Sequence, residues 1–312
     1  MRRAVGRVGA RVAKVTVAAL HPYTIGGSTI AAAAGIDPYC SPTALFLRMT
    51  GAIPEPGSNG HMRIGKALEP VIIDLLREDG YTVTRYPGYE CPDAARPWLV
   101  GHPDALGASH DVYVIECKAT GGWALRSWNG DEPPVTWQAQ VQTYMHLTGT
   151  DRAVIAALID GTTLRTVDVK RNDRAIAVLL EKAEAFYGYL CKGEPPPPDG
   201  WASTREALHE LYREGTKGRQ VRAGRAVRET VEEMRRLRAS LDAHEAQYEE
   251  RRRMIEATMG DAEVMVDQAD NPLVKWTTTT SRRVDTKKLK GSYPSIYEEC
   301  AVPTTSRRFT LA

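Results

Sequence analysis

Two stretches order the rest of the chain: Gly101-His102-Pro103-Asp104, and Val112-Tyr113-Val114-Ile115-Glu116-Cys117-Lys118 a few residues later. The run from Val112 to Ile115 is β-branched and aromatic, which predicts a buried strand. Side chains alternate faces along a strand, so Glu116 and Lys118 project to the same side. Two charged groups ending an apolar strand on one face are costly unless they pair or bind something. Asp104 stands in a Pro-Asp turn after Trp98-Leu99-Val100, read here as the neighbouring strand, and a hairpin would bring its carboxylate beside Glu116. A lone Glu-x-Lys is ordinarily a surface ion pair. With Asp104 at this distance it suits metal-assisted phosphodiester hydrolysis: Asp104 and Glu116 offer hard oxygen ligands for Mg²⁺ or Mn²⁺, and Lys118 can hold the attacking water.

Flanking residues extend this constellation. Upstream, Leu68-Glu69-Pro70-Val71-Ile72 opens a stretch whose apolar residues share one helical face. Proline lacks the amide donor, so Pro70 predicts a helix start or kink close to Glu69, which could aim a third carboxylate inward. The alternative is a first-turn glutamate favoured by the helix dipole. Downstream, Trp137 to Met145 is a helical pattern with glutamines at 138, 140 and 142. Gln140 falls at the margin of the buried face, where an amide could orient water or a phosphate oxygen. His61, His102, His110 and His146 show no paired-ligand spacing and read as surface or core residues. Gly60 to Lys66 fits seven positions of a P-loop, but Ala67 replaces the Ser/Thr that would hold Mg²⁺.

Composition sets the limits. The chain has 312 residues, 42% apolar and 26% charged, with a formal net charge of +2, ordinary for a soluble globular protein. Residues 1–19 form a basic lead-in without acids. Five scattered cysteines argue against a disulfide framework or zinc ribbon and fit a reducing cytoplasm. No apolar run approaches the ~20 residues needed to span a bilayer. Pro195 to Pro198 forms a stiff break, placing a linker at 194–202 between a core at 20–193 and the C-terminal third of the chain. Residues 203–260 read as a charged helical or coiled-coil segment, regular from near Arg225, with Val227, Val231, Met234, Leu237, Leu241, Tyr248 and Ile255 forming a narrow apolar stripe. Residues 261–312 read as a small basic β-rich unit whose hairpin turns at Asp270-Asn271-Pro272.

Together these motifs resemble the PD-(D/E)XK nuclease superfamily, and within it the lambda exonuclease and YqaJ-type viral recombinases. The resemblance runs from Ile25-Gly26-Gly27-Ser28 through Gly35-Ile36-Asp37-Pro38-Tyr39, Leu68-Glu69-Pro70, His102-Pro103-Asp104 and Glu116-Cys117-Lys118 to Gln140-Val141-Gln142. It implies a restriction-endonuclease-like α/β core, a central mixed sheet flanked by helices. It implies that Glu69, Asp104, Glu116 and the Cys117 carbonyl hold Mg²⁺, two ions per site, with Lys118 activating water and Gln140 assisting. It places Ser28, with His102, near the 5′-terminal phosphate. Where the lambda enzyme has arginine and serine, this chain has His21 and His102, so end recognition differs in detail. The implied activity is 5′-to-3′ resection of linear duplex DNA for single-strand annealing, with an annealing protein as partner and a homo-oligomeric ring as assembly, in the cytoplasm of a bacterial host. The alternatives are an endonuclease of repair or restriction type, and a non-catalytic DNA-binding or scaffold protein.

Overall fold

The structure, a computed structural model, describes residues 23–57, 60–84, 89–121, 128, 132–302 and 306–311. The basic lead-in and His21 lie outside them. The chain divides into two units, up to Tyr212 and from Arg213.

The first unit is organised on strand β6 (Val112–Thr120). It pairs antiparallel with β5 (Ala105–Ala108) and parallel with β7 (Arg152–Ile159). Strands β2 (Val83–Thr84) and β8 (Thr163–Lys170) complete a mixed sheet of order β2-β5-β6-β7-β8. Parallel neighbours cannot be joined by a tight turn, and helix α4 (Val135–Thr148) lies in the crossover from β6 to β7. Helices cover both faces of the sheet. Tyr113, Ile115 and Cys117 cluster with Ile72, Ile73 and Leu76 of α3 (Gly60–Glu78). Val114, of opposite parity, meets Val141, Tyr144 and Met145 of α4. This is the expected α/β core, a central mixed sheet flanked by helices.

Three features differ from the expectation. The strand beside β6 is β5, immediately after Asp104. Leu99 and Val100 belong instead to β4 (Leu99–Gly101), in a separate sheet of order β1-β4-β3 with β1 (Ile25–Gly26) and β3 (Cys91–Pro92). β5 reads Ala-Leu-Gly-Ala, with little intrinsic strand preference, because Gly107 faces Tyr113 across the pair; a Cβ at Gly107 would come 2.2 Å from that ring. Second, β6 does not end at its charged residues. It runs on to Thr120, and Glu116 and Lys118 lie opposite Ile155 and Ala157 of β7. Third, α3 is one helix of 19 residues with Pro70 inside it. The carbonyl that loses its partner to Pro70 belongs to Lys66, an exposed residue that water can serve. Gly60 to Lys66 is therefore helix and not a phosphate-cradling loop.

A second layer holds α1 (Gly27–Ala33), α2 (Pro42–Met49) and α5 (Asp173–Lys192), whose Ile30, Phe46, Leu179 and Phe186 share an apolar cluster with Ile25 and Leu99. The proline run does not close this unit. Beyond it, α6 (Ala202–Leu211) returns to α2. Thr204 Oγ1 donates to Ser41 Oγ (2.6 Å), the Ser41 amide donates to Ser203 Oγ (2.9 Å), and Ser41 Oγ caps α2 by accepting from the Ala44 amide (3.1 Å). Buried hydroxyls satisfied in this way tie the two helices together.

The second unit contains the long helix α7 (Arg225–Met259), beginning where the regular stripe was expected to begin. The expected hairpin forms from β9 (Val264–Val266) and β10 (Pro272–Lys275). Asp267 caps its turn, accepting from the Ala269 and Asn271 amides at 2.8 and 2.9 Å. Two short helices come next, α8 (Thr286–Ser292) and α9 (Pro294–Cys300), the first carrying Lys287, Lys288 and Lys290. Among the described residues no helix is long and apolar enough to cross a membrane.

Ser41→Ala removes the α2 cap and the contact to the Thr204 hydroxyl, which keeps Asp199 Oδ1 as its acceptor. The expected cost is about 1–2 kcal/mol, read as a lower urea midpoint with unchanged slope. A loss below ~0.5 kcal/mol, the range of ordinary surface changes, would show that α6 is not anchored there.

Candidate active site

Parity along β6 puts Glu116 and Lys118 on the face covered by α4, and α4 brings Gln140 to them. Lys118 Nζ donates to Glu116 Oε1 at 2.7 Å and to Gln140 Oε1 at 2.8 Å. Glu116 is 3% exposed and Gln140 8%, so this is no surface ion pair. Asp104 enters from the neighbouring strand, and its Oδ2 accepts from the Cys117 amide at 2.8 Å. One backbone bond thus fixes the turn before β5 against the middle of β6. Glu69 reaches the site from α3 on the opposite face, near enough for its charge to act on both Glu116 and Cys117.

The electrostatics derive from burial. Desolvation pushes the Glu116 carboxyl up to about 7; Lys118 opposes the shift, and Asp104 and Glu69 add to it. Its Oε2 is buried with no hydrogen-bond partner among the described residues. Burial, reinforced by Asp104 and Glu116, also raises the Cys117 thiol far above its ordinary range, so this side chain stays protonated and only its carbonyl is a donor.

The donor set fits a hard divalent cation: a carboxylate oxygen without a partner, held among other carboxylates in a desolvated place, is the group such an ion satisfies. Glu69, Asp104, Glu116 and the Cys117 carbonyl are the groups that would hold it. Among the described residues, however, no three acidic, histidine or cysteine side chains converge as a ready-made cage. One oxygen each of Asp104 and Glu116 is already engaged by the Cys117 amide and by Lys118.

Ser28 and His102 follow the paired strands β1 and β4. β1 runs parallel to β4 with Gly26 opposite Val100, so Ser28 and His102 each stand two residues beyond the register point. Both are exposed, and His102 Nε2 lies 3.2 Å from Glu90 Oε1.

Tyr144, within the helical pattern from Trp137 to Met145, is not among the expected site residues. Its Oη accepts from Gln140 Nε2 at 3.1 Å and from the His102 backbone amide. Its ring fills the space that two glycines leave. A Cβ at Gly27 would fall 2.3 Å from the ring, and one at Gly101 would fall 3.0 Å from it and 2.6 Å from Leu147. The only signal in the sequence was a tyrosine four residues after Gln140, one turn along the same helix face.

Residues 18–151 match the profile of the YqaJ-like viral recombinase domain. This similarity to that domain covers less than half of the chain. All the residues described above as facing the site lie within it. The chain is 26% identical over 298 residues to the uncharacterized protein YqaJ of Bacillus subtilis (strain 168), covering 92% of this chain and 90% of that one. Among solved structures it is similar to an alkaline exonuclease from Laribacter hongkongensis, at 22% identity and a TM-score of 0.44, over 55% of this chain and 89% of that one. A phage-related exonuclease from Haemophilus somnus 129PT aligns at 14% identity and a TM-score of 0.42, over 54% of this chain and 94% of that one.

The raised Glu116 carboxyl has a consequence for stability. Unfolding returns it to its ordinary value, so between about 4.5 and about 7 the folded domain holds a proton that the unfolded chain has released. That contribution is complete below the unfolded value and is lost as pH rises through about 7. The urea midpoint of metal-free protein is expected to fall between pH 5 and 8, and Glu116→Gln to flatten the fall. Equal slopes in the two proteins would remove Glu116 as the cause.

Proposed function

We propose that this chain is a metal-dependent 5′-to-3′ exonuclease that resects linear duplex DNA for phage-type recombination by single-strand annealing. The observation that carries the proposal is the set at the middle of β6: buried Glu116 and Gln140 joined through half-buried Lys118, with half-buried Asp104 held by the Cys117 amide and Glu69 close enough to act on Glu116. Mg²⁺ bound by Glu69, Asp104, Glu116 and the Cys117 carbonyl would supply Lewis-acid stabilisation of phosphate charge and a more acidic water.

The chain's own groups supply the rest. An ammonium has three protons to donate, and Lys118 uses two of them on Glu116 and Gln140. The third can hold the attacking water, whose deprotonated form the lysine charge favours. Gln140 fixes the direction of that ammonium. Burial of Glu116 keeps bulk water from competing with the one water that reacts. Ser28 and His102, each two residues past the last β1–β4 register point, are the groups proposed to meet the 5′-terminal phosphate. In this reading the remaining single strand passes to an annealing protein, and subunits assemble as a ring around the duplex.

The first test is digestion with Mg²⁺ of linear duplex, covalently closed circular duplex and single-stranded DNA. Loss of linear duplex from its 5′ ends, an intact circle, and a fall of at least about a hundredfold for Lys118→Ala are expected. Cutting of the closed circle would replace the exonuclease by an endonuclease. A folded protein that binds DNA and cleaves nothing would leave a binding protein.

Tyr144→Phe keeps the ring between the glycines and deletes the oxygen that holds Gln140 and accepts from the His102 amide. It should lower kcat by about tenfold with little change in KM. In a Gln140→Ala background the same change should have no further effect. Additive losses would show that the hydroxyl does not act through Gln140.

A further inference from the structure

Helix α7 is almost without partners in its own unit. Of its 35 residues only Met259, in the last turn, is buried. Ion pairs three and four residues apart help hold it helical in water, among them Arg225–Glu229, Arg235–Glu232, Arg238–Asp242 and Arg252–Glu256. They do not account for its apolar residues. Val227, Met234, Leu241, Tyr248 and Ile255 recur at intervals of seven. Val227, Leu241 and Tyr248 are 56%, 61% and 68% exposed. A strict seven-residue repeat keeps one seam turned toward a second helix over the whole length, about 52 Å for a helix of this size.

Charge specifies that second helix. From Arg225 to Leu241 five arginines stand against three glutamates; from Asp242 to Met259 three arginines stand against five acidic residues. The halves carry opposite net charge. Two copies laid in the same direction would set basic half on basic half and acidic on acidic. Laid in opposite directions, each half meets its complement. The seam has the same symmetry, since Met234 and Tyr248, and likewise Val227 and Ile255, are equidistant from Leu241.

We propose that α7 pairs antiparallel with α7 of a second copy of this chain, with Leu241 at the centre of the seam. The pairing is separate from the nuclease reading, and its test uses no activity. Full-length wild type and Leu241→Glu are compared by light-scattering mass, with circular dichroism to confirm that the helix persists. The variant particle is expected to have half the wild-type mass. Arg235→Glu with Arg236→Glu makes both halves acidic and should also halve the mass. Adding Glu249→Arg and Glu250→Arg in the same chain restores opposite halves and should restore the mass. Equal masses for wild type and Leu241→Glu would overturn the pairing, whether the stripe is solvated or covered by another protein. If the two-arginine reversal leaves the mass unchanged, or the four-residue reversal does not restore it, the antiparallel arrangement is overturned.

Discussion

A carboxylate taken out of water and held against a lysine in the middle of a hydrophobic strand is the constraint that shapes the first unit. Glu116 is 3% exposed, and the strand around it is covered by α3 on one face and α4 on the other. Removing an ion from water is expensive, and a single partner at 2.7 Å does not compensate fully, which is why burial dominates the upward shift of the carboxyl. Such a group persists only where its surroundings are too firmly built to rearrange. A strand held along its length is that kind of surrounding: β6 is paired with β7 across Glu116, and its other edge is paired with β5 as far as Ile115 and then held by Asp104 through the Cys117 amide.

The same constraint explains why small residues matter so much here. Gln140 can face Lys118 only if its amide is held from behind, and Tyr144 does this from one turn along α4. The tyrosine ring needs room, which Gly27 and Gly101 provide at the starts of two exits, toward Ser28 and toward His102. The backbone leading into Ser28 and into His102 is therefore packed on the same ring that holds the lysine's amide partner. Position in one place is transmitted to the other by packing, since close-packed interiors resist small displacements.

Legibility in the sequence depended on range. The β6 pattern, its charged pair, the glutamine on the next helix and the start of α7 near Arg225 are all local signals, read from alternation or helical spacing within about ten residues. β5 was not legible because its composition answers to a contact across the sheet, Gly107 making room for Tyr113. Pro70 reads locally as a helix start, yet the helix begins at Gly60, since an exposed carbonyl left by proline is satisfied by water. The proline run looks like the end of a unit because nothing local reveals that Ser203 and Thr204 reach back more than 160 residues to Ser41. The Asp104–Glu116 proximity was expected for a partly mistaken reason, a hairpin from Leu99, and the actual partner strand delivers it more directly.

The two units differ in what kind of chemistry they can carry. Buried ionic chemistry needs a core large enough to exclude water on all sides, and the first unit has one in three apolar clusters. The second has Met259 as its one buried apolar side chain among the described residues, and a two-strand hairpin whose residues are half-buried or exposed. An isolated hairpin is marginal in water, so this unit depends on its long helix and on whatever that helix meets. Its charges, including Lys287, Lys288 and Lys290 on α8, act at the surface, where salt screens them and attraction is broad rather than selective. Selective contact by the second unit must therefore come from its apolar seam and the order of charge along α7, whereas selective chemistry in the first comes from a few desolvated atoms held in place by the sheet.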